Sequence, residues 1–105
     1  MSKKNILLVC GGGASSGFLA QSMKKSAKTQ GLSVTVEAVG DSEIEDYIDE
    51  KDVVLFGPHL RYMEAELKET MSEFDSIPYD FIPDEYYGAL DGEGTLNFAL
   101  SLMAD

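Results

Sequence analysis

The chain has 105 residues, 44% of them hydrophobic, which suits one folded domain over residues 1–105 and argues against disorder. Its net charge of −11 speaks against nucleic acid as a partner, and no apolar run is long enough to cross a bilayer. A single cysteine excludes an internal disulfide, and the start Met1-Ser2-Lys3-Lys4-Asn5 lacks a signal-peptide core, so a cytoplasmic protein with a reduced thiol is expected.

Ile6-Leu7-Leu8-Val9 is apolar without alternation, the pattern of a strand buried on both faces, here over about Asn5–Val9. A loop from Cys10 to about Ser15 carries three glycines, whose backbone can curl closely around a ligand. A helix follows from about Ser16 to Gln30, with Leu19, Ala20, Met23 and Ala27 at core spacing and Gly31 ending it. Lys24, Lys25 and Lys28 fall in its last half, where they complement the helix dipole. Ser33–Ala38 alternates and reads as a strand less buried than the first. Ser42 with Glu45 has the spacing of a capping box before a short helix that turns Ile44, Tyr47 and Ile48 inward. Val53-Val54-Leu55-Phe56 is a third strand, again apolar throughout, and Gly57-Pro58 breaks it. A helix over about Tyr62–Phe74 places Met63, Leu67 and Met71 on one side. A fourth strand lies near Pro78–Ile82, a turn holds Tyr86-Tyr87-Gly88, and a last helix runs from about Gly94 to Met103.

Strands alternating with helices predict an α/β domain with a parallel sheet. The two continuous apolar strands belong in the middle and the alternating one at an edge. With right-handed crossovers the order is 2-1-3-4, helices covering both faces. In such a sheet the ligand crevice opens at the carboxyl ends of the first and third strands. Cys10 and the Gly57–Tyr62 loop are thus expected to face each other across one mouth.

The charge is divided along the chain. Residues 1–36 hold Lys3, Lys4, Lys24, Lys25 and Lys28 and no acid, whereas the rest sets three cations against all 19 acids. The thiol therefore sits in the cationic part, which favours holding a phosphoryl dianion. A cysteine beside inward N–H groups and a helix N-terminus is stabilised as thiolate, and the same groups stabilise the oxygens of a phosphoryl group in transfer. A low-molecular-weight tyrosine phosphatase also places a thiolate in such a loop, but its pattern has an arginine six residues beyond the cysteine. Here that position is Ser16, and the first arginine is Arg61. The loop is suited to holding a phosphoryl group and passing it on. A flavodoxin-like binding or redox module is a third reading, weakened by the lack of a second cysteine and by Glu37 as the lone ribose-binding candidate. One histidine and one cysteine exclude a structural zinc site, and no cofactor is expected.

Ile6-Leu7-Leu8-Val9-Cys10 with Gly13, Ser15, Ser16 and Leu19, then Asp52-Val53-Val54-Leu55, then Gly57-Pro58 with Arg61-Tyr62-Met63, resemble one known family. Tyr87-Gly88 and Gly92–Leu96 fit it as well. The chain resembles the IIB components of the bacterial phosphoenolpyruvate-dependent sugar phosphotransferase system, in the lactose/cellobiose group and nearer the cellobiose side. The resemblance implies a three-layer α/β sandwich like that of the small tyrosine phosphatases. It implies Cys10 as nucleophile and carrier, with Gly11, Gly12, Gly13, Ala14, Ser15, Ser16 and Gly17 as the phosphate loop. It also implies a phosphohistidine donor, the IIA protein, and a membrane-embedded IIC protein that holds and selects the sugar, with this chain as a monomer. Gly12-Gly13-Ala14 and Gly17-Phe18 depart from the usual pattern, and His59 stands where many relatives carry glutamine. For His59, beside Pro58, two readings stand: a proton relay, or a polar loop residue, the one a glutamine could replace. Tyr62 either caps the loop with its hydroxyl or packs at a helix start, and Leu19 and Tyr62 are candidate rim contacts for a partner.

Overall fold

Lys4–Cys10 forms β1, and every residue from Ile6 to Cys10 is completely buried. The computed structural model describes residues 3–10 and 15–103, the side chains of Ser15 and Ser16 excepted. On one side β1 pairs in parallel with β2 (Val34–Gly40), in a register running from Lys4 opposite Val34 to Cys10 opposite Gly40. On its other side lies β3 (Val53–Phe56), which pairs in parallel with β4 (Tyr79–Phe81). The sheet order is β2-β1-β3-β4, as the sequence predicts.

The apolar runs are explained by what covers them. Alternate residues of a strand face opposite sides, so Ile6 and Leu8 join Val53 and Leu55 in one core while Leu7 and Val9 join Val54 and Phe56 in the other. Helices α1 (Ser15–Thr29) and α5 (Gly92–Met103) cover the first face through Leu19, Ala20, Met23, Ala27, Leu96 and Ala99. One turn of helix, α2 (Ile44–Tyr47), and α3 (Glu64–Met71) cover the second, with Ile44, Ile48, Leu60, Leu67 and Met71 buried there. Each such side chain contributes about 2 kcal/mol of hydrophobic stabilisation. Gly31, at φ +71°, ends α1 in a Schellman arrangement: Leu32 N–H donates to the Ala27 carbonyl and Gly31 N–H to that of Lys28.

Local pattern misplaces several details. Cys10 is the last residue of β1, held in register by the ladder, and is not the first of a loop. In place of the box expected at Ser42 and Glu45, only the return half of one forms at Gly40, whose N–H donates to Glu43 Oε1 at 3.0 Å, ahead of a 3-10 turn over Asp41–Glu43. Tyr47, expected inward, is exposed, because Ile44 and Ile48, four positions apart, form the face turned to the sheet. The helix expected from Tyr62 is a 3-10 segment, Pro58–Met63, before α3, with another 3-10 turn after it. The turn at Tyr86-Tyr87-Gly88 is a short helix, α4 (Asp84–Gly88), and α5 begins two residues earlier than expected, at Gly92.

Thr95, in the second turn of α5, is fully buried and its hydroxyl has no hydrogen-bond partner among the described residues. A buried, unsatisfied hydroxyl costs about 1–3 kcal/mol, and an apolar group of the same shape removes that cost. Thr95→Val is expected to gain about 1 kcal/mol, seen as a Tm raised by roughly 5 °C in thermal denaturation.

Candidate active site

Cys10 closes β1 at the carboxyl edge of the sheet, and α1 begins at Ser15. At this edge the chain winds from β1 outward to β2 and then back across β1 to β3, so the crevice between β1 and β3 is the place for a ligand. The Gly57 N–H donates to the Val9 carbonyl at 2.9 Å, which extends the β1–β3 pairing and lays Gly57 beside the cysteine. Pro58 then starts a 3-10 turn, closed by Leu60 N–H donating to the Gly57 carbonyl and anchored by the buried Leu60 side chain. That turn folds the His59 ring back toward the sulfur. A β-carbon built on Gly57 would lie 2.6 Å from His59 Cε1, 3.0 Å from Nδ1 and 3.3 Å from Cys10 Sγ. The mouth expected between Cys10 and the Gly57–Tyr62 loop is present at Gly57 and His59.

A third side chain enters from the far end of the chain. The Tyr87 hydroxyl, on α4, donates to Cys10 Sγ at 3.9 Å, a long contact that the size of sulfur permits. The rings of Tyr87 and His59 lie 5.5 Å apart at 49°. Sequence reasoning assigns Tyr87 no role; the only signal is its place in the Tyr87-Gly88 pair, 77 positions from the thiol.

The remaining candidates divide. Gly11, Gly12, Gly13 and Ala14 lie outside the described residues. Ser15, Ser16 and Gly17 belong to the first turn of α1, not to a loop, so their N–H groups are those that a helix leaves without carbonyl partners. Leu19, expected at the rim, is wholly buried, because its face of α1 packs on Ile6 and Leu8. Tyr62, in the 3-10 segment Pro58–Met63, is 83% exposed and does not pack at a helix start. Arg61, the only arginine, holds its guanidinium over the Phe81 ring at 5.5 Å, on β4, two strands from Cys10. Glu37, the acid considered for ribose binding, is paired with Lys51 at 3.2 Å. Among the described residues no group of three or more His, Cys, Asp or Glu side chains is placed to hold a metal ion.

Gly57 is needed because a side chain there would collide with the imidazole. Gly57→Ala displaces the outer end of the exposed His59 side chain, so it is expected to cost about 1 kcal/mol or less. Its signature is a shift of the His59 and Tyr87 ring resonances in NMR with Tm little changed.

Comparison with known proteins fits this geometry. A model of the family "PTS system, Lactose/Cellobiose specific IIB subunit" matches residues 5–98. The chain belongs to this family. It is 32% identical to the oligo-β-mannoside-specific EIIB component of Bacillus subtilis over 97% of its own length and 98% of that protein. A second relative is the lactose-specific EIICB component of Lacticaseibacillus casei, 29% identical over 67% of this chain but only 12% of that longer protein. Among solved structures, the cellobiose-specific IIB protein of Borrelia burgdorferi matches with a TM-score of 0.82 and 34% identity, over 97% of this chain and 93% of that one. The lactose-specific IIB domain of Streptococcus pneumoniae has a TM-score of 0.85 at 19% identity, covering 98% and 100%, a likeness of fold. This IIB chain thus shares its sheet order and helical layers with IIB domains of the lactose/cellobiose group.

Proposed function

We propose that this IIB chain is the phosphocysteine carrier between a IIA protein and a sugar held by a membrane IIC protein. The observation that carries the reading is the placement of the only thiol: last in a central strand, at the crevice, with a helix N-terminus following. In the first step a Cys10 sulfur lone pair forms the S–P bond while the N–P bond of the donor's phosphohistidine breaks. The released electron pair stays on the donor imidazole, which then takes up a proton. In the second step a sugar hydroxyl oxygen forms the O–P bond, the S–P pair returns to sulfur, and the hydroxyl proton passes to a base on the sugar-binding partner. Gly11 to Ala14 and the N–H groups of Ser15, Ser16 and Gly17 hold the phosphoryl oxygens in both steps, aided by the α1 dipole. Relatives named for cellobiose and for oligo-β-mannosides support a β-linked disaccharide as the sugar.

A cysteine phosphatase would need a cation to grip the phosphoryl oxygens and hydrolyse the thiophosphate; the one arginine is engaged over Phe81. The test is intact mass after incubation with phosphoenolpyruvate, the general phosphotransfer proteins and a cellobiose-type IIA. One added phosphoryl group, lost when IIC-containing membranes and cellobiose are supplied, is the expected result. No gain, together with steady turnover of an aryl phosphate, would replace the carrier by the phosphatase.

A further inference from the structure

We propose that Tyr87 is a residue of the transfer site that stabilises the Cys10 thiolate, and that His59 acts through it as a positioning residue. The inference rests on Cys10 being the carrier, and it concerns what keeps its sulfur ionised. Cys10 is completely buried at the end of β1, and burial in apolar surroundings favours the neutral thiol. A hydrogen-bond donor to the sulfur opposes that preference, and the Tyr87 hydroxyl is such a donor.

The arrangement is built from three separate segments. Tyr87 is half-buried, and α4 is fixed by its N–H donating to the Pro83 carbonyl and its carbonyl accepting from Leu90 N–H. The ring packs against the core beneath α1 and α5, which sets the direction of the hydroxyl. His59 meets the tyrosine ring at 5.5 Å from the other side of the mouth, seated over Gly57. Glu43 lies on the same edge of the sheet, its carboxylate accepting from the N–H of Gly40, the residue paired with Cys10 in β2.

The tyrosine proton does not transfer. The O–H donates to the anionic sulfur before attack, and it does so again when the S–P bond breaks and the electron pair returns to sulfur. One hydroxyl thereby serves the sulfur as nucleophile and as leaving group.

The test uses the isolated full chain and reads the sulfur alone, so it stands apart from whether any IIA donor phosphorylates the protein. The thiol titration midpoint is taken from thiolate absorbance, as the difference from Cys10→Ser, and from the pH profile of iodoacetamide alkylation. Tyr87→Phe keeps the ring and is expected to raise the midpoint by about one pH unit, a roughly tenfold smaller thiolate fraction on the acid side. His59→Ala raises it by less, His59→Gln restores part of the difference, and Tyr87→Phe combined with His59→Ala adds nothing to Tyr87→Phe alone. An unmoved midpoint in Tyr87→Phe would reduce Tyr87 to packing and overturn the proposal. Additive shifts in the double variant would overturn the positioning role and put His59 on the sulfur directly.

Discussion

Cys10→Ser is expected to take up no phosphoryl group under conditions in which the wild-type chain gains one. A thiol ionises near neutral pH, its ordinary pKa being about 8.5, whereas an alkyl hydroxyl stays protonated and attacks only with a base positioned to remove its proton. The sulfur is also the better leaving group, so a phosphoserine, if it formed, would not hand its group onward. The fold tolerates the change, because serine is of similar size. The cost is about 1 kcal/mol for placing a hydroxyl at a fully buried site, measured as a small loss of Tm with unchanged circular dichroism. The decisive measurement is intact mass of the two proteins side by side. If Cys10→Ser still gained the group, the carrier would be another side chain, and His59, the only histidine, would be the first to map.

Gly92→Ala has the largest expected effect on stability. A β-carbon on Gly92 would lie 2.4 Å from the backbone carbonyl carbon of Ser22 and 2.6 Å from its Cβ, with Ser22 Oγ closer still. Rotating the serine side chain cannot relieve an overlap with its backbone, so α1 and α5 must move apart. Between these helices lie Leu19, Met23, Leu96 and Ala99, all fully buried, and separation opens that core. Overpacking of this kind costs about 1–3 kcal/mol, more than alanine's helix preference returns at a first-turn position. The expected result is a Tm lower by about 10 °C in thermal denaturation. Gly17→Ala makes the same chemical change within α1, where the new carbon meets nothing within 4 Å, and is expected to stabilise by up to about 1 kcal/mol. Equal effects in the two variants would mean that glycine's helix propensity, not the close approach of α1 and α5, decides both.

Sequence alone determined the architecture and pointed to the cysteine proposed as the carrier. Periodicity is a property of consecutive residues: Ile6–Val9 and Val53–Phe56 could be read as central strands, Leu19, Ala20, Met23 and Ala27 as one buried helix face, and Gly31 as a helix end. The same local pattern put the single cysteine at the crevice of a parallel sheet, and the residues around it carried the family resemblance. What lay beyond it was decided by how elements cross. No local pattern brings Tyr87 to Cys10, because the contact depends on where β4 ends and how α4 turns back over the sheet. Gly57 read as a strand breaker, yet what it spares is a collision with the imidazole of His59, a matter of one rotamer in a neighbouring turn. Leu19 reads both as part of the buried face of α1 and as a rim candidate, and the packing of α1 buries it. Gly92 is intolerant only because two helices far apart in sequence touch there. Local geometry repeats along a chain and is written in spacing; the approach of two elements is set by side-chain shape at a single crossing.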